Sequence, residues 1–307
     1  MNYKHQVVND LAWVFSAPMI VADLDLSLWW EEGLEEKLNE LDRGPATLLD
    51  CVAQCKSHFL GAYFEVLFSF AIRYFSTLTV VFEHEQLSDE NGKTLGEIDM
   101  LVKTPDGRFF QFEIAIKYFL EVKQGGDIEW IGPNKTDSLS KKSEKARAKQ
   151  LRILETKIGR SYLEQWGIYQ AVEPMLLIFG YLFTDGRKSE DLQREKSAQN
   201  VELNGKRMAS DNENAYWIRL TEFKTKSFNK CSFYELIKPK WMTFNNIKRE
   251  EIQSYESVCL DLDRSFKSDI RPKMYSVWNQ SPEDVLNANK VIGGYPYERV
   301  FIVPDAW

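Results

Sequence analysis

The chain has 307 residues, of which 44% are hydrophobic and 28% are charged, and its formal net charge is −7. This composition is that of a folded globular protein and excludes a disordered chain. We expect one domain, residues 1–307, because no repeat, low-complexity tract or flexible linker divides the sequence. No apolar run approaches the ~20 residues of a membrane-spanning helix, so no membrane association is expected.

Other classes are excluded by particular residue types. Polar and acidic residues interrupt the N-terminal stretch where a secretory signal would be apolar, so we expect a cytoplasmic protein. The four cysteines form no CxxC pair, which favours free thiols over a zinc site, and the three histidines are scattered. The acidic net charge argues against indiscriminate coating of nucleic acid, although a local basic patch can still bind a phosphate backbone.

The N-terminal quarter of the chain predicts helices. The first 50 residues indicate helical pieces that break at Pro18 and at Gly44-Pro45. Residues 45–76 indicate one helix, or two that meet at Gly61. The second half of this region is apolar almost all round, so we expect it to be buried.

Strands are predicted next. The β-branched and alternating residues 77–87 predict a strand, and residues 96–120 predict a hairpin around Thr104-Pro105-Asp106-Gly107. In that turn the proline presets the backbone and the glycine takes a positive φ. The apolar run 175–183 predicts a central strand.

The remaining segments complete the predicted fold. Residues 135–165 predict a long basic helix, and residues 184–212 a polar loop or short helix. The aromatic segments AYWIRLTEF, FYELIKPKWM and RVFIVPDAW indicate three later strands or packing segments. A helix followed by strand, hairpin, helix and strand predicts an α/β fold, with a mixed sheet covered by helices.

Charged residues lie on one face of the predicted hairpin. Because side chains alternate along a strand, Asp99 shares a face with Glu97, and Glu113 shares a face with Lys117. With the turn at residues 105–107, paired residues have numbers that sum to roughly 211–213, which places Asp99 opposite Glu113. Like charges in that position destabilise a sheet, whereas Mg²⁺ takes carboxylate oxygens from adjacent strands. The alternative is an amphipathic hairpin with a solvated polar face.

The segments GEIDMLV (96–102) and FQFEIAIK (110–117) resemble the acidic motifs of the PD-(D/E)XK nuclease superfamily. That superfamily has a restriction-endonuclease-like core, a mixed β-sheet flanked by helices. The segments LAWVFSAP, GPN and FIVPDAW are similar to a bacterial family of uncharacterised proteins placed within it. The resemblance implies a core of approximately residues 45–185, with an elaborated C-terminal extension, 186–307, packed on it.

The resemblance also implies site residues. Asp99, Glu113 and the carbonyl of Ile114 would be metal ligands for Mg or Mn, and Glu65 matches the helical glutamate of many members. For Glu65 the alternative is a solvent-facing polar strip. The superfamily places its lysine two residues after the second acid, whereas this chain has Ala115 at that position and its lysine, Lys117, four residues after Glu113. Since four residues span ~13 Å of strand, Lys117 reaches the metal site only through a bulge or a curled stem.

The predicted basic helix is the candidate nucleic-acid interface. From residue 135 to residue 160 there are nine Lys or Arg residues and three Asp or Glu residues. Lys141, Lys145 and Lys149 recur every four residues, a spacing that could track a phosphate backbone. Gln150 falls where superfamily members often carry a polar site residue. The alternative is a solvated helix face.

The sequence therefore predicts a metal-dependent nuclease that hydrolyses phosphodiester bonds, with DNA favoured over RNA as partner. Two other classes stay open. One is a non-catalytic nucleic-acid-binding module that keeps the nuclease fold. The other is an interaction protein whose aromatic-rich C-terminal half forms a homo-oligomer interface.

Overall fold

The computed structural model describes residues 3–55, 57–186, 202–203, 206–207, 215–226, 228–245, 247–289 and 297–307. Within these ranges the chain has a mixed α/β fold, in which a large mixed sheet is flanked by helices. The predicted fold class is confirmed at this level.

The described residues contain nine α-helices and three short 3₁₀ segments. The helices are α1 (Gln6–Ser16), α2 (Leu34–Arg43), α3 (Ala46–Ala53), α4 (Leu60–Phe75), α5 (Leu139–Ala148), α6 (Lys157–Gln165), α7 (Leu220–Thr225), α8 (Tyr255–Ser265) and α9 (Pro282–Asn289). The 3₁₀ segments are Leu26–Leu28, Gln150–Glu155 and Arg249–Glu251. Among these described helices, none combines the length and the apolar character needed to cross a bilayer.

Thirteen strands lie in the same ranges. They are β1 (Met19–Ala22), β2 (Thr79–Ser88), β3 (Thr94–Lys103), β4 (Phe109–Gln124), β5 (Asp127–Ile131), β6 (Val172–Asp185), β7 (Glu202–Leu203), β8 (Lys206–Arg207), β9 (Ala215–Arg219), β10 (Ser232–Leu236), β11 (Gln253–Ser254), β12 (Lys273–Trp278) and β13 (Glu298–Val303). The strands β7 and β8 form a separate pair.

The other eleven described strands form one sheet, in the order β11-β10-β12-β13-β9-β6-β4-β3-β2. The strand β1 also pairs with β6, and β5 also pairs with β4. The contacts β4–β6, β6–β9 and β9–β13 are parallel, and the flanking contacts are antiparallel. The strands of the C-terminal half thus continue the sheet that β2–β6 begin.

Both faces of the central strands are covered by apolar residues. On one face α4 packs through Phe64 and Phe68 against Phe179 of β6 and Phe112 of β4. On the other face α5 and the 3₁₀ segment that follows it contribute buried residues, namely Leu139, Ala146 and Leu151. Coverage on both sides explains why β6 is a continuous apolar run, as predicted.

Several predicted elements differ in detail. Residues 45–76 form two helices, as one of the two predicted alternatives has it, but the break lies at residues 54–59 and not at Gly61. The strand β1 occupies a stretch predicted as helical. The long helix predicted over residues 135–165 is wrong, because α5, a 3₁₀ segment and α6 replace it. Gly159 explains part of this break, since a Cβ there would lie 2.2 Å from the carbonyl oxygen of Ile153. The loop or helix predicted at 184–212 lies largely outside the described residues.

A close backbone contact joins the two central strands. Gly180 of β6 has φ +120, and a Cβ at this position would lie 1.8 Å from the carbonyl oxygen of Lys117 in β4. Only glycine fits this approach, because a side chain would collide with the neighbouring strand and the positive φ disfavours other residues.

Candidate functional site

The strands β3 and β4 separate at the point where the sequence places two carboxylates. Their ladder runs from Lys103–Phe109 to Met100–Phe112, and the residue numbers in each pair sum to 212, which confirms the predicted register. Beyond this point β3 pairs with β2, and β4 pairs with β6. A fork opens there, and Asp99 and Glu113 are the first residues on its two sides.

Asp99 compensates for the loss of strand pairing at the fork. Its Oδ2 accepts a hydrogen bond from the backbone N–H of Ile114 at 2.8 Å. This N–H lies on the edge of β4 that β3 has left, where an unpaired donor would be unfavourable. Because the N–H and C=O of one strand residue point to the same side, the carbonyl oxygen of Ile114 also faces the fork.

Glu113 is paired with a lysine from helix α5. The glutamate is 2% exposed, and its Oε1 accepts a hydrogen bond from Lys142 Nζ at 2.6 Å. Ser138 accepts the N–H of Lys141 and so sets the start of α5. The buried residues of α5 are Leu139, Ser143 and Ala146, and Lys142 shares their inward stripe at helical spacing.

The carboxylates of the fork outnumber the lysine that compensates them. Burial is the largest cause of a raised pKa at Asp99, the charge of Glu113 raises the pKa of Asp99 as well, and the N–H of Ile114 lowers it by less. Burial also raises the pKa of Glu65, with contributions from Glu97 and Glu113, while His84 and Lys142 oppose the shift. Burial is the largest cause of both shifts, and neighbouring carboxylates add to each of them.

The oxygen atoms that face the fork fit a hard divalent cation. They belong to the carboxylates of Asp99 and Glu113 and to the carbonyl of Ile114. Mg²⁺ prefers oxygen ligands and commonly keeps several waters beside one or two carboxylates. In the part of the chain that the structure describes, no three Asp, Glu, His or Cys side chains converge to hold a metal ion. Glu65 therefore acts on the pair electrostatically, and the fitting ligand set is two carboxylates and one carbonyl.

A comparison with protein families covers this site and both halves of the sheet. The family model described as a domain of unknown function, DUF1853, matches residues 9–303. The chain belongs to the DUF1853 family. No curated protein and no solved structure matched the chain. The family description names no activity, so the function of this DUF1853 member is argued from the fork.

The structure places Lys117 away from the carboxylate pair of this DUF1853 member. Lys117 Nζ donates a hydrogen bond to Asp137 Oδ2 at 2.7 Å. The pairing of β4 with β6 is regular from Glu113 to Lys117, so no bulge brings the lysine back toward the fork. The lysine that contacts Glu113 is Lys142, from another element.

The predicted nucleic-acid residues lie around α5. Lys141, Lys145 and Lys149 are exposed, and Lys149 ends the helix. Gln150 lies closer to the sheet, where its backbone carbonyl accepts a hydrogen bond from Gln111 Nε2 at 3.0 Å. The side-chain Oε1 of Gln150 is buried and has no hydrogen-bond partner among the described residues.

Two residues at the fork were missed by sequence reasoning. Lys142 was identifiable from the inward spacing Leu139, Lys142, Ala146, provided that the helix start was known. His84 of β2 has φ 54, which is unusual for a residue in a strand. Its neighbours Glu83 and Glu85 pair with Met100 and Ile98, so His84 lies opposite Asp99, and its Nδ1 is 3.7 Å from Glu97 Oε1. No pattern in the sequence indicates this conformation.

Proposed function

We propose that the chain is a metal-dependent nuclease with a restriction-endonuclease-like core, which hydrolyses phosphodiester bonds in DNA in preference to RNA. The observation that carries this proposal is the fork, where Asp99 accepts the N–H of Ile114 and the adjacent buried Glu113 is paired with Lys142. The resemblance of residues 96–102 and 110–117 to PD-(D/E)XK motifs supports the same reaction class.

The residues of the fork have distinct proposed roles. Asp99, Glu113 and the Ile114 carbonyl would hold Mg²⁺ or Mn²⁺, which when bound supplies Lewis-acid polarisation of the phosphodiester. Lys142 takes the role that the sequence gave to Lys117. Its ammonium group, already at the Glu113 carboxylate, would stabilise the negative charge that develops on the phosphate during hydrolysis.

Helix α5 connects the fork with a basic surface. Its inward face carries Lys142, and its exposed face carries Lys141 and Lys145, with Lys149 at its end. We expect the three exposed lysines to contact the phosphate backbone of a bound strand. The Oε1 of Gln150 is buried between this helix and the sheet, so the proposal gives it no contact with the nucleic acid.

A second candidate function is a non-catalytic nucleic-acid-binding module that keeps the nuclease fold. The closed ion pair between Lys142 and Glu113 favours it, because a buried glutamate that already has a cation has less need of a metal. In this case the fork would be structural and the basic surface would carry the function.

A Mn²⁺-dependent cleavage assay over single- and double-stranded DNA and RNA tests the nuclease proposal. We expect cleavage by the natural chain, loss of cleavage in Glu113→Gln, and a decrease of about 10²-fold in Lys142→Met. Lys141→Met is the comparison variant: it removes a neighbouring charge from the outward face of the same helix, so it should weaken substrate binding and leave the single-turnover rate at saturating substrate unchanged.

The outcomes separate the two candidate functions. Silence on every substrate, combined with salt-sensitive nucleic-acid binding, would reject the enzyme and support the binding module. That binding should survive Glu113→Gln and weaken when Lys141, Lys145 and Lys149 are neutralised together. Equal cleavage by the natural chain and Glu113→Gln would reject the proposed metal site.

A further inference from the structure

Strand β4 is joined on one face to the segment of residues 137–150, which contains helix α5. Three hydrogen-bonded side-chain contacts between described residues make this connection, namely Gln111–Gln150, Glu113–Lys142 and Lys117–Asp137. The residue numbers rise along β4 and fall along the segment, so α5 runs antiparallel to the strand. The fork contact, between Glu113 and Lys142, is therefore the middle one of the three.

The two outer contacts differ in burial. Gln111 is 2% exposed, and it holds the end of the segment from inside the protein. The side chains of Lys117 and Asp137, at the start of the segment, are 32% and 37% exposed. An ion pair that is exposed to this extent contributes little to the free energy of folding. Its removal should therefore leave the fold intact and release only the start of α5.

The strand end of the Lys117–Asp137 contact has a fixed backbone. Lys117 pairs with Gly180 in the regular ladder between β4 and β6. Its carbonyl oxygen lies so close to Gly180 that a Cβ on this glycine would be 1.8 Å away. Because the backbone of Lys117 is held in this way, the ion pair fixes the helix relative to the sheet.

Asp137 connects Lys117 to the first turn of α5. Its carbonyl accepts the N–H of Gly132 at 2.9 Å, and a Cβ on Gly132 would lie 2.1 Å from its Oδ1. The next residue, Ser138, forms a bridge with Ile131 and caps the helix. Since each residue turns a helix by about 100°, the start that Asp137 and Ser138 define determines which side chains face β4.

Lys142 lies in the part of α5 that the Lys117–Asp137 contact holds. It follows the cap residue Ser138 by one helical turn, which is ~6 Å along the helix axis. Of residues 139–142, all within the described part of the chain, Leu139 alone is buried. Apolar packing of Leu139 turns this face inward but is not directional, whereas an ion pair fixes a distance. Precision matters here, because a displacement of about 1 Å can lower a reaction rate by about 10²-fold.

We propose that Lys117 is a positioning residue, which acts through Asp137 and Ser138 to hold Lys142 at Glu113. The consequence for cleavage rests on the proposed nuclease function, whereas the consequence for the contact between Lys142 and Glu113 does not. The lysine that the sequence resemblance assigns to catalysis thus acts through a second lysine, from another element.

Single-turnover, Mn²⁺-dependent cleavage of DNA by Lys117→Met separates positioning from binding. The substitution keeps most of the apolar stem and removes the charge. We expect the rate at saturating substrate to fall about three- to tenfold, with the half-saturating substrate concentration unchanged, because Lys117 acts on Lys142 and not on the DNA. Lys117→Arg retains the charge and should restore most of the rate. A raised half-saturating concentration with an unchanged maximal rate would show that Lys117 binds substrate and would overturn the inference.

The Lys142→Met background tests whether Lys117 acts through Lys142. Adding Lys117→Met to this background should cause no further loss of rate, because the side chain that Lys117 positions is absent. Asp137→Asn should match Lys117→Met in the natural chain, and the two together should lose no more than either alone. The full Lys117→Met loss in the Lys142→Met background would contradict the inference.

The ¹⁵N–¹H signal of the Lys142 ammonium group provides a readout that does not require cleavage. Its loss in Lys142→Met assigns the signal. The side chains of Lys142 and Glu113 are 18% and 3% exposed, so exchange of the ammonium protons with water should be slow in the natural chain. We expect Lys117→Met to broaden or shift this signal and Lys117→Arg to restore it. An unchanged signal in Lys117→Met would reject the positioning role.

The matched control is Lys224→Met. Lys224 also pairs with an aspartate, Asp263 at 2.5 Å, in a contact of similar exposure. It lies on α7, which packs against β9 and β13 and not against α5 or the fork. Its substitution should leave the cleavage rate and the Lys142 signal unchanged. Equal effects of Lys224→Met and Lys117→Met would show a general effect of lost charge and overturn the inference.

Failure of the positioning role and failure of the nuclease proposal have different signatures. If the natural chain cleaves DNA and Lys117→Met cleaves it at the same rate, the positioning role is rejected and the nuclease proposal stands. If no substrate is cleaved but the Lys142 signal changes in Lys117→Met, the nuclease proposal fails and the positioning of Lys142 stands. If there is neither cleavage nor a change of signal, both fail.

Discussion

Two aspartates, Asp23 and Asp99, make the same backbone contact in different electrostatic surroundings. Asp23 Oδ2 accepts the N–H of Leu176 at 3.0 Å, and Asp99 Oδ2 accepts the N–H of Ile114 at 2.8 Å. Helix α5 supplies a cation to each region, Arg147 beside Asp23 and Lys142 at the fork. One helix therefore covers two carboxylate sites on the same face of the sheet.

The two sites differ in how charge is balanced. Arg147 binds both carboxylate oxygens of Asp23, at 2.8 and 2.9 Å, and this hydrogen bonding raises the pKa of the arginine. At the fork Lys142 donates to Glu113, while Asp99 has a raised pKa beside that glutamate. A carboxylate matched by a bidentate arginine is explained by stability. Two carboxylates with one lysine are better explained by binding of another cation.

The largest expected effect is on cleavage. Asp99→Asn should lower the rate of Mn²⁺-dependent DNA cleavage by about 10²- to 10³-fold, because it removes a proposed ligand of the metal ion that would polarise the phosphodiester. Asp23→Asn should leave the rate per folded molecule unchanged. Single-turnover rates, corrected for the folded fraction, measure this difference. Equal losses in the two variants would remove the distinction between the sites.

For the free energy of unfolding we expect the opposite order, with the larger effect in Asp23→Asn. Asp23→Asn should lower the free energy of unfolding by about 2 to 3 kcal/mol, because the bidentate pair between the buried Asp23 and Arg147, whose side chain is 36% exposed, is lost. Asp99→Asn should be neutral or stabilising at pH 8, since the amide oxygen can still accept the N–H of Ile114 and the repulsion by Glu113 disappears. Urea unfolding followed by tryptophan fluorescence gives both values. A large destabilisation by Asp99→Asn would show that its charge is structural.

Lys142→Met should have a somewhat smaller effect on stability, about 2 kcal/mol, because Glu113 keeps its buried charge while the open fork admits water. Most of this loss should be recovered in the double variant Glu113→Gln/Lys142→Met. The same urea titrations, arranged as a double-mutant cycle, measure the coupling energy. If the effects of the two single substitutions add up in the double variant, the coupling energy of the 2.6 Å contact between Lys142 and Glu113 is zero.

The smallest expected effect concerns Asp10, a buried carboxylate bonded by the neutral groups of Tyr63 and Gln6, each at 2.8 Å. Burial raises its pKa from 3.8 to about 7. Between pH 3.8 and about pH 7 Asp10 is protonated in the folded protein and ionised in the unfolded chain. The contribution of Asp10 to the free energy of unfolding therefore falls as the pH rises through this range, and it is constant above about pH 7.

From pH 6 to pH 8 the free energy of unfolding should therefore fall by about 1.5 kcal/mol more in the natural chain than in Asp10→Asn. Urea titrations at several pH values measure the two slopes. Asp269→Asn is the control, because the hydrogen bonds from Arg271 lower the pKa of Asp269 to about 2, outside this range. Parallel slopes for the natural chain and Asp10→Asn would place the Asp10 pKa outside the window.

Local pattern was sufficient to predict the hairpin. Alternation assigned the faces of β3 and β4, and the turn residues fixed the register that places Asp99 opposite Glu113. Both signals act over a few residues, so no knowledge of the rest of the chain is needed. The divergence of the two strands beyond Met100 depends on β2 and β6 as competing partners, and the hairpin sequence does not encode it.

The lysine at the carboxylates required information that the local pattern lacks. The predicted helix began at 135, whereas Ser138 starts α5 at Leu139. Each residue turns a helix by about 100°, so an uncertain start leaves the inward face undefined. Alternation along a strand shows which face is buried but not which strand lies beside it.

The contact between Gly180 and the carbonyl of Lys117 has a consequence for how accurately the fork is aligned. A slip of β6 by one residue along β4 would bring Phe179 or Tyr181 to the point where no Cβ fits. Gly180 thus restricts β4 and β6 to a single register. Glu113 and Lys117 both belong to β4. The absence of a side chain at Gly180 therefore fixes how these two residues are aligned with β6.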